Sequence, residues 1–161
     1  MQILHHQAEA VQAGASMKST GEIEAITEVF DVPFDYLWDY LTNPLMFPVL
    51  YPNWVSTVNL ATKDEYRAEG PDGKSFMITP DLNKNYGVID FKTMNSSGKS
   101  MTFRSRLIPM DDTKTALVRL AFRLNSEKDP CFDWESYKAA IQSDYKNARK
   151  IVENVFHNSA S

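Results

Sequence analysis

The sequence predicts an α+β domain: a seven-stranded antiparallel sheet curved around one long C-terminal helix, with two short helices after the first strand. Three observations carry this. The hydrophobic period is strand-like up to Phe30 and turns helical from Asp31 to Leu41. From Trp54 to Leu124, strands and turns follow one another without a helical segment. Finally, Trp134, Tyr137, Ile141, Tyr145, Ala148, Val152 and Val155 advance by three or four residues each time, so they form one broad apolar stripe on a helix.

Residues 1–21, rich in Ala, Gln, Ser and Gly, read as a flexible or weakly helical leader, with Met17 available as an alternative start. One domain is expected over residues 22–157, followed by a frayed tail at 158–161. The first strand is EIEAITEVF, residues 22–30. Pro33 sits near the start of the first helix, whose apolar residues are Phe34, Leu37, Trp38 and Leu41. Asn43-Pro44 breaks it, and LMFPVLYP forms a second short helical stretch. WVSTVNL and EYRAEG are the next strands. GPDGK is a three-residue hairpin signal, since Pro71 presets a type I turn and Gly73 supplies a left-handed residue. SFMIT is a strand, PDLNKNY a loop, and GVIDFKTMN, SMTFRSRLI and TALVRLAFRL are three further strands. The last helix starts at Pro130 or Asp133 and runs to Phe156, about 35 Å of helix at 1.5 Å per residue. Its stripe must be buried, and the sheet is the only large partner.

The 161 residues suffice for one domain with a substantial core. A formal net charge of -4 leans against nucleic acid as a partner, which needs concentrated Lys and Arg. No apolar run approaches a membrane span, and the N-terminus lacks the basic and apolar regions of a signal peptide. The single cysteine, Cys131, excludes an internal disulfide framework and suits a reducing compartment, so the cytoplasm is expected. Oligomeric state is left open.

The stretch TEVFDVPFDYLWDYLTNPLMFPVLYPNWVSTV, with Pro33, Trp38, Leu41, Thr42, Pro44, Phe47 and Trp54 as landmarks, resembles the opening of START/SRPBCC domains. YGVIDFKT and RLIPMDDTKTALVRLAF are similar to later strands of bacterial members, and DYKNARKIVENVF to their closing helix. The resemblance covers about residues 22–157 and implies the helix-grip fold. It implies no single activity, because such domains include lipid and hormone carriers, polyketide cyclases, pollen-allergen-like binders, oxygenase subunits and chaperone activators.

Strong catalytic motifs are missing from the sequence. His5, His6 and His157 all lie near the chain ends, and one cysteine cannot build a zinc, haem or iron–sulfur site with them, so no metal and no cofactor is expected. Ser-His and Cys-His pairs are disfavoured for the same reason. The inner wall of the sheet remains. If the last three strands pair in register, Val88, Asp90, Lys92 and Met94 share a face with Met101, Phe103, Ser105 and Leu107, and with Val118, Leu120, Phe122 and Leu124. That face is the more apolar and is expected to meet the helix. The opposite face, with Arg104, Arg106, Arg119 and Arg123 beside Ile89, Phe91 and Leu117, is expected to face solvent, unless one arginine contacts an anionic group. Asp90 and Lys92 are anomalous on an apolar face. Either they pair or meet a polar ligand group, or the strand lies at a cavity mouth, or the register slips by one. Asp90 is the candidate polar anchor or general base.

The expected ligand-binding residues are Tyr66, Phe76, Asp90, Lys92, Phe103, Phe122, Tyr137, Ile141 and Tyr145, with the tyrosine hydroxyls able to offer hydrogen bonds. Trp54 and Trp134 are further candidates among the rings. Trp38 is expected to be structural, and Asp144 to lie on a solvated flank of the helix. Three functions stay open. The first is binding of a small hydrophobic or amphipathic molecule (lipid, polyketide-like or aromatic). The second is a cyclase/aromatase-like enzyme using Asp90, Tyr66 or Tyr145 for proton transfer. The third is a chaperone-activator-like interaction protein.

Overall fold

The computed structural model describes residues 21–124 and 133–159. Residues 1–20 of the expected leader and Cys131 lie outside these residues, while Gly21, its last residue, belongs to the first strand. Strand β1 (Gly21–Phe30) leads into helix α1 (Phe34–Leu41), a 3-10 turn (Pro44–Met46) and the one-turn helix α2 (Phe47–Leu50). Six strands follow: β2 (Thr57–Leu60), β3 (Tyr66–Glu69), β4 (Ser75–Asn83), β5 (Val88–Asn95), β6 (Ser100–Pro109) and β7 (Thr115–Leu124). Helix α3 (Trp134–Ser159) closes the chain. It runs on to Ser159, beyond the Phe156 expected as its end and into the expected tail.

Local chemistry accounts for the boundaries. Pro33 caps α1 in an extended conformation, and Asp35 occupies its first turn, where a negative charge suits the helix dipole. Leu37, Trp38 and Leu41 form its buried face. The Thr42 hydroxyl donates to the Trp38 carbonyl at 2.7 Å as the helix ends. The Asn43 side chain then accepts from Leu45 N at 3.1 Å and starts the 3-10 turn.

The sheet is antiparallel throughout, in the order β1-β7-β6-β5-β4-β3-β2. Thus the first strand lies beside the last, and α1 and α2 carry the chain to the far edge. Strand β4 is longer than expected: residues 80–83, the first four of the expected loop, continue the pairing with β5. Pro80 is tolerated because β3 stops pairing at Ile78, which leaves that side of β4 free. The following 3-10 turn (Lys84–Tyr86) ends at Gly87, whose φ of 61° is left-handed. Leu107 N donates to Gly87 O at 2.8 Å.

One face of the sheet packs on α3. Ile26, Phe30, Ile78, Leu107 and Leu117 meet Ile141, Ala148 and Val152 of the helix in a single core, joined by Leu37, Phe47 and Leu50 from the short helices. Charged side chains fasten α3 to the edge strand. Lys138 pairs with Glu24, and Arg149 with Glu28 at 3.0 Å. Asn147 Nδ2 donates to the Val49 and Leu50 carbonyls, so α3 also satisfies the C-terminal end of α2.

The observed register revises the expected faces. Phe91 opposes Phe103, Ile89 opposes Ser105, and Ser105 opposes Arg119. The β6 residues Phe103, Ser105 and Leu107 do face the helix. On β5 and β7, however, it is Ile89, Phe91, Leu117 and Arg119 that accompany them. Asp90 and Lys92, together with Val118, Leu120 and Phe122, fall on the outer face. Each pairing is offset by one residue from the expected faces, and a one-residue slip turns every side chain over.

Candidate functional site

Between the sheet and α3 lies a cavity of about 110 Å³. Sheet strands β5, β6 and β7 supply Ile89, Phe91, Phe103, Ser105, Leu117 and Arg119. Helix α3 supplies Tyr137, Ala140, Ile141, Asp144 and Tyr145, while Leu41, Tyr51, Asn53 and Trp54 close the side nearest the short helices. Its aromatic wall is interlocked. Trp54 meets Phe103 edge-on at 5.0 Å between ring centres, and Phe47 packs against Trp54 at 5.3 Å and edge-on to Phe91 at 5.0 Å. Offset and edge-on rings of this kind hold their positions, so the wall is pre-formed.

Two charged groups interrupt this apolar lining. Arg119 is only 8% exposed. Its guanidinium lies over the Phe103 ring at 4.3 Å, and Nη2 donates to the Tyr137 hydroxyl at 3.0 Å. Its Nε has no hydrogen-bond partner. Burial alone would lower its pKa, but the neighbouring Tyr145 and Tyr137 phenols outweigh this and hold it above its ordinary value, so it stays cationic. Asp144 is 4% exposed. Its Oδ1 accepts from Asn53 N at 3.0 Å and from Asn53 Nδ2 at 2.8 Å. Burial raises its pKa, against the opposing pull of those two bonds and of Arg119. Tyr51 and Tyr145, both buried, are raised in turn, burial being the main cause in each. At neutral pH their hydroxyls are therefore neutral donors and acceptors.

Of the residues expected to bind a ligand, Phe103, Tyr137, Ile141 and Tyr145 stand on the cavity wall. Tyr66 and Phe76 are half-buried against the core but off the cavity, and Phe76 stacks behind Trp54 at 6.1 Å. Lys92 and Phe122 are on the outer face, exposed. Asp90 is buried there but turned away from the cavity. Its carboxylate accepts from Arg104 Nη1 at 3.1 Å, from Arg106 Nη1 at 2.8 Å and from Ser105 N at 3.3 Å. It thus pairs with two arginines of the next strand and not with Lys92. As expected, Trp38 is part of the core. The expected solvent positions of Arg119, Arg123 and Asp144 are corrected. Arg119 and Asp144 line the cavity, and Arg123 faces inward, pairing with Glu22 and lying over the Trp134 ring at 5.6 Å.

Arg119 was overlooked because charge suggested an outer face, whereas Val118, Leu120 and Phe122 made the opposite face more apolar. One clue was present. NSSGK repeats the pattern of GPDGK, with glycine fourth and lysine fifth. In both, the fourth residue is left-handed, with φ of 76° at Gly73 and 81° at Gly98. The closing bonds match as well, Gly70 N to Lys74 O at 2.9 Å and Asn95 N to Lys99 O at 3.0 Å. Read as the same three-residue loop, NSSGK sets Phe91 opposite Phe103 and sends Asp90 outward. Asp144 had its own clue: it lies three residues after Ile141 and next to Tyr145, within the angular reach of the helix stripe. Among the described residues, no group of three or more His, Cys, Asp or Glu is arranged to hold a metal ion. Nor is any helix among them long and apolar enough to cross a membrane.

A seven-stranded antiparallel sheet closed by a long C-terminal helix, with short helices after the first strand, is the helix-grip α+β fold, and this chain adopts it. Solved structures of that shape include the Zhui aromatase/cyclase from Streptomyces sp. R1128, to which the chain is 15% identical with a TM-score of 0.64 over 88% of this chain and 96% of that one. The protein Ara h 8.0201 is similar at 14% identity and a TM-score of 0.60, covering 82% and 97%. A START superfamily protein from Mycobacterium smegmatis is similar at 13% identity and a TM-score of 0.58, covering 84% and 97%. At such identities the likeness carries the fold and not the activity. No protein-family model matches the sequence, and no curated protein matches it.

Proposed function

We propose that the protein binds a small hydrophobic or amphipathic molecule, of lipid, polyketide-like or aromatic type, in the cavity between the sheet and α3. The observation that carries this reading is a pre-formed, mainly apolar cavity with Arg119 and Asp144 on its wall. A folded core normally closes on itself at high density, and an opening with convergent polar groups is the usual form of a ligand site. The volume of about 110 Å³ is of the order of the roughly 150 Å³ engineered cavity that holds benzene. A ligand that stays inside is therefore about one ring in size, and a longer one must project from the cavity.

Native mass spectrometry of the purified protein, with solvent extraction of whatever accompanies it, tests the reading. A defined apolar or amphipathic compound is expected, and Tyr145→Ala or Phe103→Ala should release it. Absence of any copurifying compound, together with no thermal shift across a broad panel of lipids and aromatics, rules the reading out. Asp144 supports a second reading, a cyclase-like enzyme. A carboxyl whose pKa is raised by burial, inside a ligand cavity, is a candidate proton carrier, a role the outer position of Asp90 does not suit. Turnover abolished by Asp144→Asn with ligand binding retained would favour it.

A further inference from the structure

Resting on the cavity reading above, we infer that the ligand is an aromatic carboxylate of about one ring, its carboxylate seated on Arg119. A guanidinium buried this deeply is expected to meet a carboxylate, because an uncompensated buried charge is costly. Arg119 has none. Its protein partners are the Tyr137 and Tyr145 hydroxyls, its Nε is unpartnered, and it belongs to none of the ion pairs among the described residues. The other cavity charge, Asp144, does not serve. It too is in no ion pair, and its Oδ1 is committed to both Asn53 donors.

The setting of Arg119 also selects the kind of anion. One face of the guanidinium is covered by the Phe103 ring, so the remaining N–H groups act in its own plane. In-plane donors in a fixed fork match the two oxygens of a carboxylate. The Ser105 hydroxyl, opposite Arg119 in the strand register, and that of Tyr145, hydrogen-bonded to both Ser105 and Arg119, lie on the same wall beside the anion position. Beyond the head group, Phe91, Phe103 and Trp54 offer ring faces and edges to an aromatic body. A rival arrangement needs no ligand at all: water alone bridges Arg119 and Asp144, and the cavity is a hydrated packing gap.

Binding of 4-fluorobenzoate and 4-fluorobenzamide, followed by fluorine NMR and calorimetry on the whole chain, separates these cases. The two probes match in shape and differ in charge. The acid is expected to bind at least about tenfold more tightly than the amide, reflecting the greater strength of a charge-assisted pair. Arg119→Met should remove that preference. If Arg119→Met does not fold, the acid-to-amide ratio on the unmodified protein still decides the matter. Equal affinity for acid and amide overturns the anion while leaving the cavity reading standing. If neither probe binds but other apolar compounds do, the ring-sized acid is wrong. If nothing binds at all, both readings fall.

Discussion

Asp90 and Asp144 show how little the identity of a residue says before its neighbours are known. Both are carboxylates only 4% exposed, yet they sit on opposite sides of the sheet in unlike surroundings. Asp90 is held by two arginines and a backbone N–H on the outer face, so it is expected to contribute to stability and not to binding. Asp90→Asn should lower unfolding free energy by about 1–3 kcal/mol, the usual scale for losing charge-assisted bonds at a buried group. Ligand affinity, measured by calorimetry, should not change. Asp144 behaves differently, because burial raises its pKa above the ordinary 3.8. Below 3.8 the carboxyl is neutral in both folded and unfolded chains. As pH rises from there through the raised folded value, the unfolded chain ionises more readily, and stability is lost. Asp144→Asn keeps an acceptor for Asn53 and removes the ionisation. Urea unfolding across this pH range should therefore show the wild type losing ground to Asp144→Asn as pH rises, with the gap constant once the window is passed.

At the level of elements, strands and helices were legible because periodicity is a local property, whereas the pairing of strands depends on turn geometry. The stripe from Trp134 to Val155 could be read as a helix face without knowing its partner, although Val155 at its end is exposed. The faces of β5 and β7 could not be read from apolar counts, because Leu120 is 45% exposed while Arg119 is buried. Of the two loops that decide those faces, NSSGK carries a glycine signal and PMDDTK does not. In the latter, Met110 N bonds to Lys114 O at 2.9 Å, and the Asp111 side chain holds Thr113 in place of a left-handed glycine. The cavity was invisible for a related reason. Its wall draws on six separate segments, and no local pattern reports the gap between them. Gly87 is a sharper constraint on element packing than any turn glycine. A Cβ there would lie 2.1 Å from Leu107 O, while one at Gly98 meets nothing within 4 Å. Both residues are left-handed, so Gly98→Ala should cost about 1–2 kcal/mol from backbone conformation alone. Gly87→Ala carries that cost and must also separate β5 from β6, so its loss of stability in chemical denaturation should be clearly the larger.

For the molecule as a whole, a sheet packed by helix on one face leaves the other to solvent, and here the open face is unusually apolar. Ile23 opposes Phe122 across β1 and β7, and Ala25 opposes Leu120, so the apolar residues adjoin along the β1 side. Their exposures, 77% for Ile23 and 37% for Phe122, show that no other part of the described fold covers them. The two-layer arrangement then predicts opposite outcomes for the same deletion on the two faces. Phe103 packs under Arg119 and against Trp54, so Phe103→Ala removes both the ring below the guanidinium and part of the cavity wall. It should cost about 2 kcal/mol or more in stability and abolish the acid preference in binding. Phe122→Ala removes a ring that is already partly in water, and its cost should stay within about 1 kcal/mol with binding unchanged. Denaturant titration and calorimetry on the two variants check both halves. If Phe122→Ala weakened the ligand as much as Phe103→Ala, the register that turns β7 outward at Phe122 and inward at Arg119 would be wrong, and the site built on Arg119 would go with it.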